Sequence, residues 1–184
     1  MIENSNEDPL QILYHRPGFM IRRAHQIAQS LFMEETGRLG ITKTQYGVLF
    51  ILNHHPGLSQ ITVAKLLGLD RSTTNLVAKK LEDAGLVSLD ESADDLRQRV
   101  LNLTVDGRAM LRRLSEPVRR AEENILVAFN AEEKKQFVKL LDKFTHYFNA
   151  ETRVPILPLN GVPVTTKPVI KRHRKVRPEI TTAG

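Results

Sequence analysis

The chain has no cysteine. Disulfides, thiolate metal sites, cysteine nucleophiles and thiol redox sensing are therefore excluded. Tryptophan is absent as well, and aromatic residues make up only 5% of the 184 residues. An apolar content of 41% supplies a core, and its bias towards Ala, Leu and Val over aromatics leans towards helix. No apolar run approaches the ~18 residues of a membrane span. The opening MIENSNEDPL lacks the basic start and apolar stretch of a signal peptide, so the sequence is expected to be soluble and cytoplasmic. His54 and His55 stand side by side without ligand-spaced carboxylates. Adjacent helical residues point apart, so no metal is expected. Neither a nucleophile–base set nor a phosphate-binding loop is evident, and an enzyme is not expected.

Charge is unevenly spread. Residues 1–150 hold 20 Lys and Arg against 19 Asp and Glu, whereas residues 151–184 hold 7 against 2. The net charge of +6 is thus mainly a property of the last segment, and nucleic-acid affinity in the folded part has to be argued from local placement. Residues 150–184 are rich in Pro and Thr, carry the cluster Lys171-Arg172-His173-Arg174-Lys175 and show no periodicity. They read as an extended or disordered basic tail, which either adds DNA affinity or is simply solvated.

What is present is a succession of helices. Pro9 opens a short one. Pro17 suits the first position of a longer one reaching about Gly37, with a ragged stripe through Phe19, Ile27, Leu31 and Phe32. Thr42 caps the next, marked by Tyr46, Leu49, Phe50 and Asn53 and ended by His54-His55-Pro56-Gly57. Ser59 starts a third, and Gly68 supplies the freedom for a tight turn. Asp70 then caps a helix over Arg71–Ala84 in which Thr74, Val77, Ala78, Leu81 and Ala84 recur at inward-facing spacing. The residues left over, among them Arg71, Ser72, Thr73, Asn75, Leu76, Lys79 and Lys80, mostly form hydrogen bonds. Gly85 stops the helix. Leu86–Leu89 and Arg99–Leu103 read as paired strands joined by the acidic loop Asp90–Asp95. Thr104 caps a long helix through Ala109, Leu111, Leu114, Val118, Ala121, Ile125 and Ala128, in which Pro117 predicts a kink. Asn130 and Glu133 form a capping box for a last helix carrying Phe137, Leu140, Leu141, Phe144 and Phe148.

Helix, turn, polar helix and ribbon, in that order, make a winged helix-turn-helix: the helix-turn-helix over 59–84 and the wing over 86–104. The fold class expected is mainly α with a small β-wing. Ser72, Thr73 and Asn75 lie near the start of the second helix, where side chains reach base edges, and Asn binds adenine in a bidentate way. Arg71, Lys79 and Lys80 join them as DNA contacts, the lysines suiting phosphates.

The run Gly68-Leu69-Asp70-Arg71-Ser72, then Leu81-Glu82, Gly85-Leu86-Val87, Asp95, Arg97 and Leu103-Thr104 resembles the MarR family of bacterial transcription regulators, over roughly residues 9–149. The resemblance implies an intertwined homodimer built by N- and C-terminal helices, binding an inverted-repeat operator, most often as a repressor released by a small molecule. It also implies that Asp95 supports the wing by bracing Arg97 towards the minor groove. Leu96 stands where many members carry a second Arg, so wing contacts fall to Arg97 and Arg99. The opening Arg16–Phe19 and Arg22–Ile27 is similar to a branch linked to aromatic-acid catabolism, nicotinate included. No cofactor is expected beyond a small aromatic carboxylate effector, whose pocket is assigned to Tyr14, Arg16, His25, Tyr46 and Phe50. The apolar terminal helices agree with a dimer whose recognition helices sit ~34 Å apart, one DNA turn. The reading is of a ligand-responsive, DNA-binding repressor, cytoplasmic and nucleoid-associated. The alternative is a protein-interaction module whose nucleic-acid affinity comes from the basic tail.

Overall fold

A computed structural model describes residues 8–91 and 99–156. Six of the seven α-helices among the described residues begin at a side-chain cap, and five of those caps are legible in the sequence. Asp8 caps α1 (Pro9–Tyr14), and α2 (Pro17–Thr36) opens with Pro17 in its first turn. Thr42 and Gln45 form a reciprocal capping box at the head of α3 (Lys43–His54), bonded at 3.3 and 2.8 Å. Ser59 caps α4 (Gln60–Leu67) and Asp70 caps α5 (Arg71–Asp83). Thr104 caps α6 (Val105–Ile125), and the Asn130–Glu133 box caps α7 (Ala131–Phe148). Each such cap satisfies backbone N–H groups that the first helical turn leaves without partners.

Three strands form an antiparallel sheet in the order β1 (Leu58–Ser59), β3 (Arg99–Leu103), β2 (Val87–Glu91). The two-residue β1 was not expected. It pairs Leu58 with Leu101 and Ser59 with Val100, and so stitches the start of the helix-turn-helix to the wing. β2 begins one residue later than expected and runs two residues further, to Glu91.

One core joins these elements. Leu49 and Leu52 from α3, Val63 and Leu66 from α4, Val77 and Leu81 from α5, Leu101 from β3 and Leu114 from α6 are buried together. The stripe on α3 differs from expectation. Val48, Leu49 and Leu52 are buried, while Phe50 and Asn53 are exposed, because α3 is covered by α4, α5 and β3 as well as by α6. Ala84 is exposed rather than inward: it is the C-cap of α5, where the chain turns through Gly85 at φ 69°. α6 passes through Pro117 and ends at Ile125, so Ala128 falls in the following turn. Along its length α6 packs against α2. Arg120 Nε donates to Glu35 at 2.7 Å, and Asn124 Nδ2 donates to the same carboxylate at 3.3 Å.

α1 and α7 bury nothing. Leu10, Leu13, Leu140, Leu141 and Phe144 are all exposed in the single chain.

Gly107, in the first turn of α6, is held where no side chain fits. An added Cβ would lie 2.0 Å from the Leu86 carbonyl oxygen, the oxygen that accepts from both the backbone and the hydroxyl of Thr104. Gly107→Ala is expected to destabilise the fold by about 3 kcal/mol or more. Thermal unfolding should then shift down by roughly 6–12 °C. An unchanged midpoint would mean that α6 and the end of α5 are not locked together in this way.

Candidate nucleic-acid interface

The direction of α5 is set by its ends and by its inner face. Gly68 adopts φ 62°, a left-handed turn that ends α4 and reverses the chain. Two residues on, the Asp70 carboxylate accepts from the Thr73 backbone N–H at 2.8 Å, from the Ser72 hydroxyl at 2.7 Å and from the Thr73 hydroxyl at 2.8 Å. These bonds, the backbone one first, hold its pKa at about 2, below the ordinary 3.8. On the inner face Thr74, Val77, Ala78 and Leu81 are buried, and the Thr74 hydroxyl donates to the Asp70 carbonyl at 2.9 Å.

The opposite face is turned to solvent. Arg71, Ser72, Asn75, Lys79 and Lys80 are exposed, and Thr73 is half-buried. Their chemistry is narrower than the residue types alone suggest. The protons of Ser72 and Thr73 are committed to Asp70, so each hydroxyl offers a base edge an accepting oxygen, suited to an adenine or cytosine amino group. Asn75 has no side-chain hydrogen bond among the described residues, so its amide can donate and accept. Lys79 is 3.4 Å from Asp83 in a pair with both partners well exposed, an interaction worth little and easily exchanged for a phosphate.

Amid these polar residues stands Leu76, 57% exposed. Ser72, Asn75, Leu76 and Lys79 share one stripe at helical spacing. Selecting residues by hydrogen-bonding capacity passed over Leu76, although its place in that stripe was readable.

Beside α5 a concavity of about 850 Å³ is lined by Ser59, Gln60, Lys65, Arg71, Asn75 and Arg99, among others. The start of α4 thus joins the interface. Helix N-termini attract phosphate, a signal in the sequence that went unused. Arg99 is exposed at the head of β3, opposite Glu91, with its Nη2 donating to the Leu89 carbonyl at 3.3 Å. Asp95 and Arg97 lie outside the described residues.

The five residues assigned to an effector pocket are not gathered in one chain. Tyr46 and Phe50 do meet, with ring centroids 5.8 Å apart. They line a cleft of about 340 Å³ between α3 and α6, together with Asn53, His54, Arg108 and Arg112. Burial, and secondarily Glu122, pushes the Tyr46 pKa up, so its hydroxyl stays a donor. Arg108 Nη1 is engaged with the Leu103 carbonyl at 2.8 Å. Arg112 has no carboxylate within ion-pair distance among the described residues. Tyr14 meets Phe19 with ring centroids 5.3 Å apart and the rings tilted by 40°, Arg16 is the N-cap residue of α2, and His25 is exposed on α2. None of the three lines this cleft. Arg108 and Arg112 fall between the apolar positions that mark α6 in the sequence, and only the packing of α3 on α6 brings them to this cleft.

Among the described residues no group of His, Asp or Glu is placed to hold a metal ion, and no helix is long and apolar enough to cross a membrane.

A capped helix held outward by a tight turn and flanked by a two-stranded ribbon defines a winged helix-turn-helix transcription regulator. The family model described as MarR family matches residues 39–98. The HTH-type transcriptional repressor Rv2887 of Mycobacterium tuberculosis is 31% identical over 139 residues, which take in 76% of this chain and 95% of that protein. The PcaV transcriptional regulator from Streptomyces coelicolor, solved in complex with its natural ligand, is 33% identical with a TM-score of 0.65, over 73% of this chain and 94% of that one. The transcriptional repressor CouR, solved bound to a 23-mer DNA duplex, is 26% identical with a TM-score of 0.70, over 76% and 99%. The chain belongs to the MarR family.

The Asp70 cap has a pH signature. Its carboxyl holds its charge to lower pH when folded than when unfolded. Its contribution to stability is therefore complete above pH 3.8 and fades as pH falls towards about 2. The difference in thermal midpoint between the parent chain and Asp70→Ala should be constant from pH 7 to pH 5 and shrink in acid. A difference independent of pH down to 2 would show that the carboxylate charge is not what holds the cap.

Proposed function

We propose that this chain is a homodimeric repressor that reads an inverted-repeat operator with two copies of α5 and releases it when a small aromatic carboxylate fills the cleft between α3 and α6. The observation that carries this reading is the division of α5 into a buried inner face and an outward stripe of Ser72, Asn75, Leu76 and Lys79, flanked by Arg71 and Lys80. Asn75 addresses adenine, the two hydroxyl oxygens accept from base amino groups, and Leu76 packs on a thymine methyl. Lys79, Lys80 and the head of α4 meet phosphates, and the wing arginines Arg97 and Arg99, the former braced by Asp95, turn to the minor groove. Relatives of matching fold support the reading: CouR is solved on a DNA duplex, and Rv2887 is solved in one structure with DNA and in another with salicylic acid. On its operator the protein resides in the cytoplasm with the nucleoid.

A second copy of the chain supplies what α1 and α7 lack. Their apolar side chains are exposed in one chain and become a core when two chains interlock, which also fixes the separation of the two recognition helices. Tyr14 ends α1, Arg16 precedes α2 and His25 lies on α2; in the proposed dimer they serve the partner protomer's ligand cleft.

Release follows from where the cleft lies. α3 leads through His55–Gly57 directly into β1 and α4, and α6 emerges from β3 through the Thr104 cap. A ligand between α3 and α6 therefore acts on both connections between the dimer helices and the DNA-reading unit. It shifts the population only by binding one spacing of these helices more tightly than another. Arg112 offers the charge for a carboxylate, and Tyr46 with Phe50 offers ring faces.

Three measurements test these assignments. Replacing Leu141 and Phe144 by Glu should yield folded monomers in analytical ultracentrifugation that no longer bind the operator with high affinity; dimers surviving at micromolar concentration would contradict the assembly. Leu76→Ala should weaken operator binding about fourfold per half-site, the value of one methyl-sized contact, and so roughly fifteenfold for a dimer that makes the contact twice. That loss should vanish on DNA carrying uracil for thymine, which lacks only the methyl; an equal loss on both DNAs would remove Leu76 from base reading. Arg112→Ala should leave operator affinity intact and raise the salicylate concentration for half-release at least tenfold, as expected for a lost charge-assisted bond of about 1.5–3 kcal/mol. Unchanged release would place the carboxylate elsewhere.

A further inference from the structure

The segment that follows α7 does not leave the molecule at the dimer helices. After a 3-10 turn at Asn149–Glu151, the Asn149 side chain donates to the Ile156 carbonyl at 2.9 Å and accepts from the Ile156 N–H at 2.8 Å. This reciprocal pair closes a loop and fixes the course of residues 152–156. The loop lies on the turn of the helix-turn-helix. A Cβ on Gly68 would meet Ile156 Cγ1 at 3.2 Å and the Val154 carbonyl oxygen at 3.5 Å. Val154 also lines the concavity that holds Arg71, Asn75 and Arg99. The chain therefore passes Ile156 at the edge of the surface assigned to DNA, although the sequence reading began the tail at residue 150.

What comes next in the sequence is basic. Residues 157–184 carry Lys167, Lys171, Arg172, Arg174, Lys175 and Arg177 against a single Glu179. Such a segment is repelled by a face already bearing Lys65, Arg71, Lys79 and Arg99, and attracted to the duplex that such a face binds. Fifteen residue steps separate Ile156 from Lys171, a tether reaching at most about 50 Å, so the cluster is held at high effective concentration beside bound DNA. The alignment with Rv2887 takes in 95% of that protein but only 76% of this chain, so part of this chain has no counterpart there.

We propose that the loop at 152–156, docked on the Gly68 turn, delivers the basic segment 157–184 to the phosphate backbone of the same duplex that α5 reads, making it a second, sequence-independent DNA-binding element. The inference rests on the operator-binding function proposed above. Its energetic signature is counterion release: each phosphate neutralised steepens the dependence of log K on log salt by about 0.9. If the two clusters of a dimer together neutralise three phosphates, affinity of the full chain falls about 40-fold more than that of a chain ending at Ile156 when salt rises from 50 to 200 mM.

The test compares three proteins on one operator duplex across that salt range. They are the full chain, the chain ending at Ile156, and the full chain with Lys171, Arg172, Arg174 and Lys175 each replaced by Gln. Both altered proteins should show a shallower salt slope by about 3 and keep the same operator preference. The cysteine-free sequence allows a second readout. Ala183→Cys carrying an iron–EDTA label should cut DNA at two-fold-related positions flanking the operator. Equal salt slopes, tighter operator binding by the shortened chain, or cutting no more focused than that of free iron–EDTA would each overturn the proposal. Failure of the full chain to prefer any sequence would instead overturn the operator-binding function, a result the salt series distinguishes.

Discussion

The structure depends on the attachment of one short helix. α5 is held by its inner residues, above all Leu81 and Ala78 in the common core, and its first turn is held by Asp70. Everything on its outer side follows from that attachment. If the helix rotated by one residue, about 100°, the whole stripe of Ser72, Asn75, Leu76 and Lys79 would turn away from the outward side. The buried Thr74 hydroxyl bonded to the Asp70 carbonyl, and Asp70 bonded to Ser72 and Thr73, tie that rotation to the turn at Gly68.

The rest of the chain transmits this position outwards. β1 and β3 pair the entrance of the helix-turn-helix with the wing, and Thr104 hydrogen-bonds the end of α5 to the start of α6. α6 then lies along α2, with Arg120 and Asn124 sharing the Glu35 carboxylate. The α3–α6 cleft therefore lies between two elements that both run into the winged unit, α3 through β1 and α6 through Thr104. The wing is connected to this cleft through the same element, because Arg108 lines the cleft while bonded to the end of β3.

Local signals were legible in the sequence and relations between distant elements were not. Thr42–Gln45, Asp70, Thr104 and Asn130–Glu133 each bond within three residues, and each marks its helix start correctly. Gly68 and Gly85 sit at positive φ, where the turns were expected. β1 escaped notice because two residues show no alternation; it exists only through its pairing with β3. The α3 stripe was misplaced because Phe50 and Asn53 follow helical spacing, while Val48 and Leu52 are selected by neighbours far along the chain. For the same reason the effector residues divided. Tyr46 and Phe50 lie one helical turn apart and meet, whereas Tyr14, Arg16 and His25 lie elsewhere in the described chain. Arg108 and Arg112 were hidden in an amphipathic helix whose apolar half drew the attention. The docking of Ile156 on Gly68 joins residues 88 positions apart, which no local pattern encodes.

The most direct measurement of the central claim is selection of bound duplexes from a random pool by the full-length protein. Two outward α5 helices related by a dimer axis predict an enriched inverted repeat with half-site centres about one helical turn apart. A single asymmetric motif, or no enrichment over the starting pool, would contradict the account.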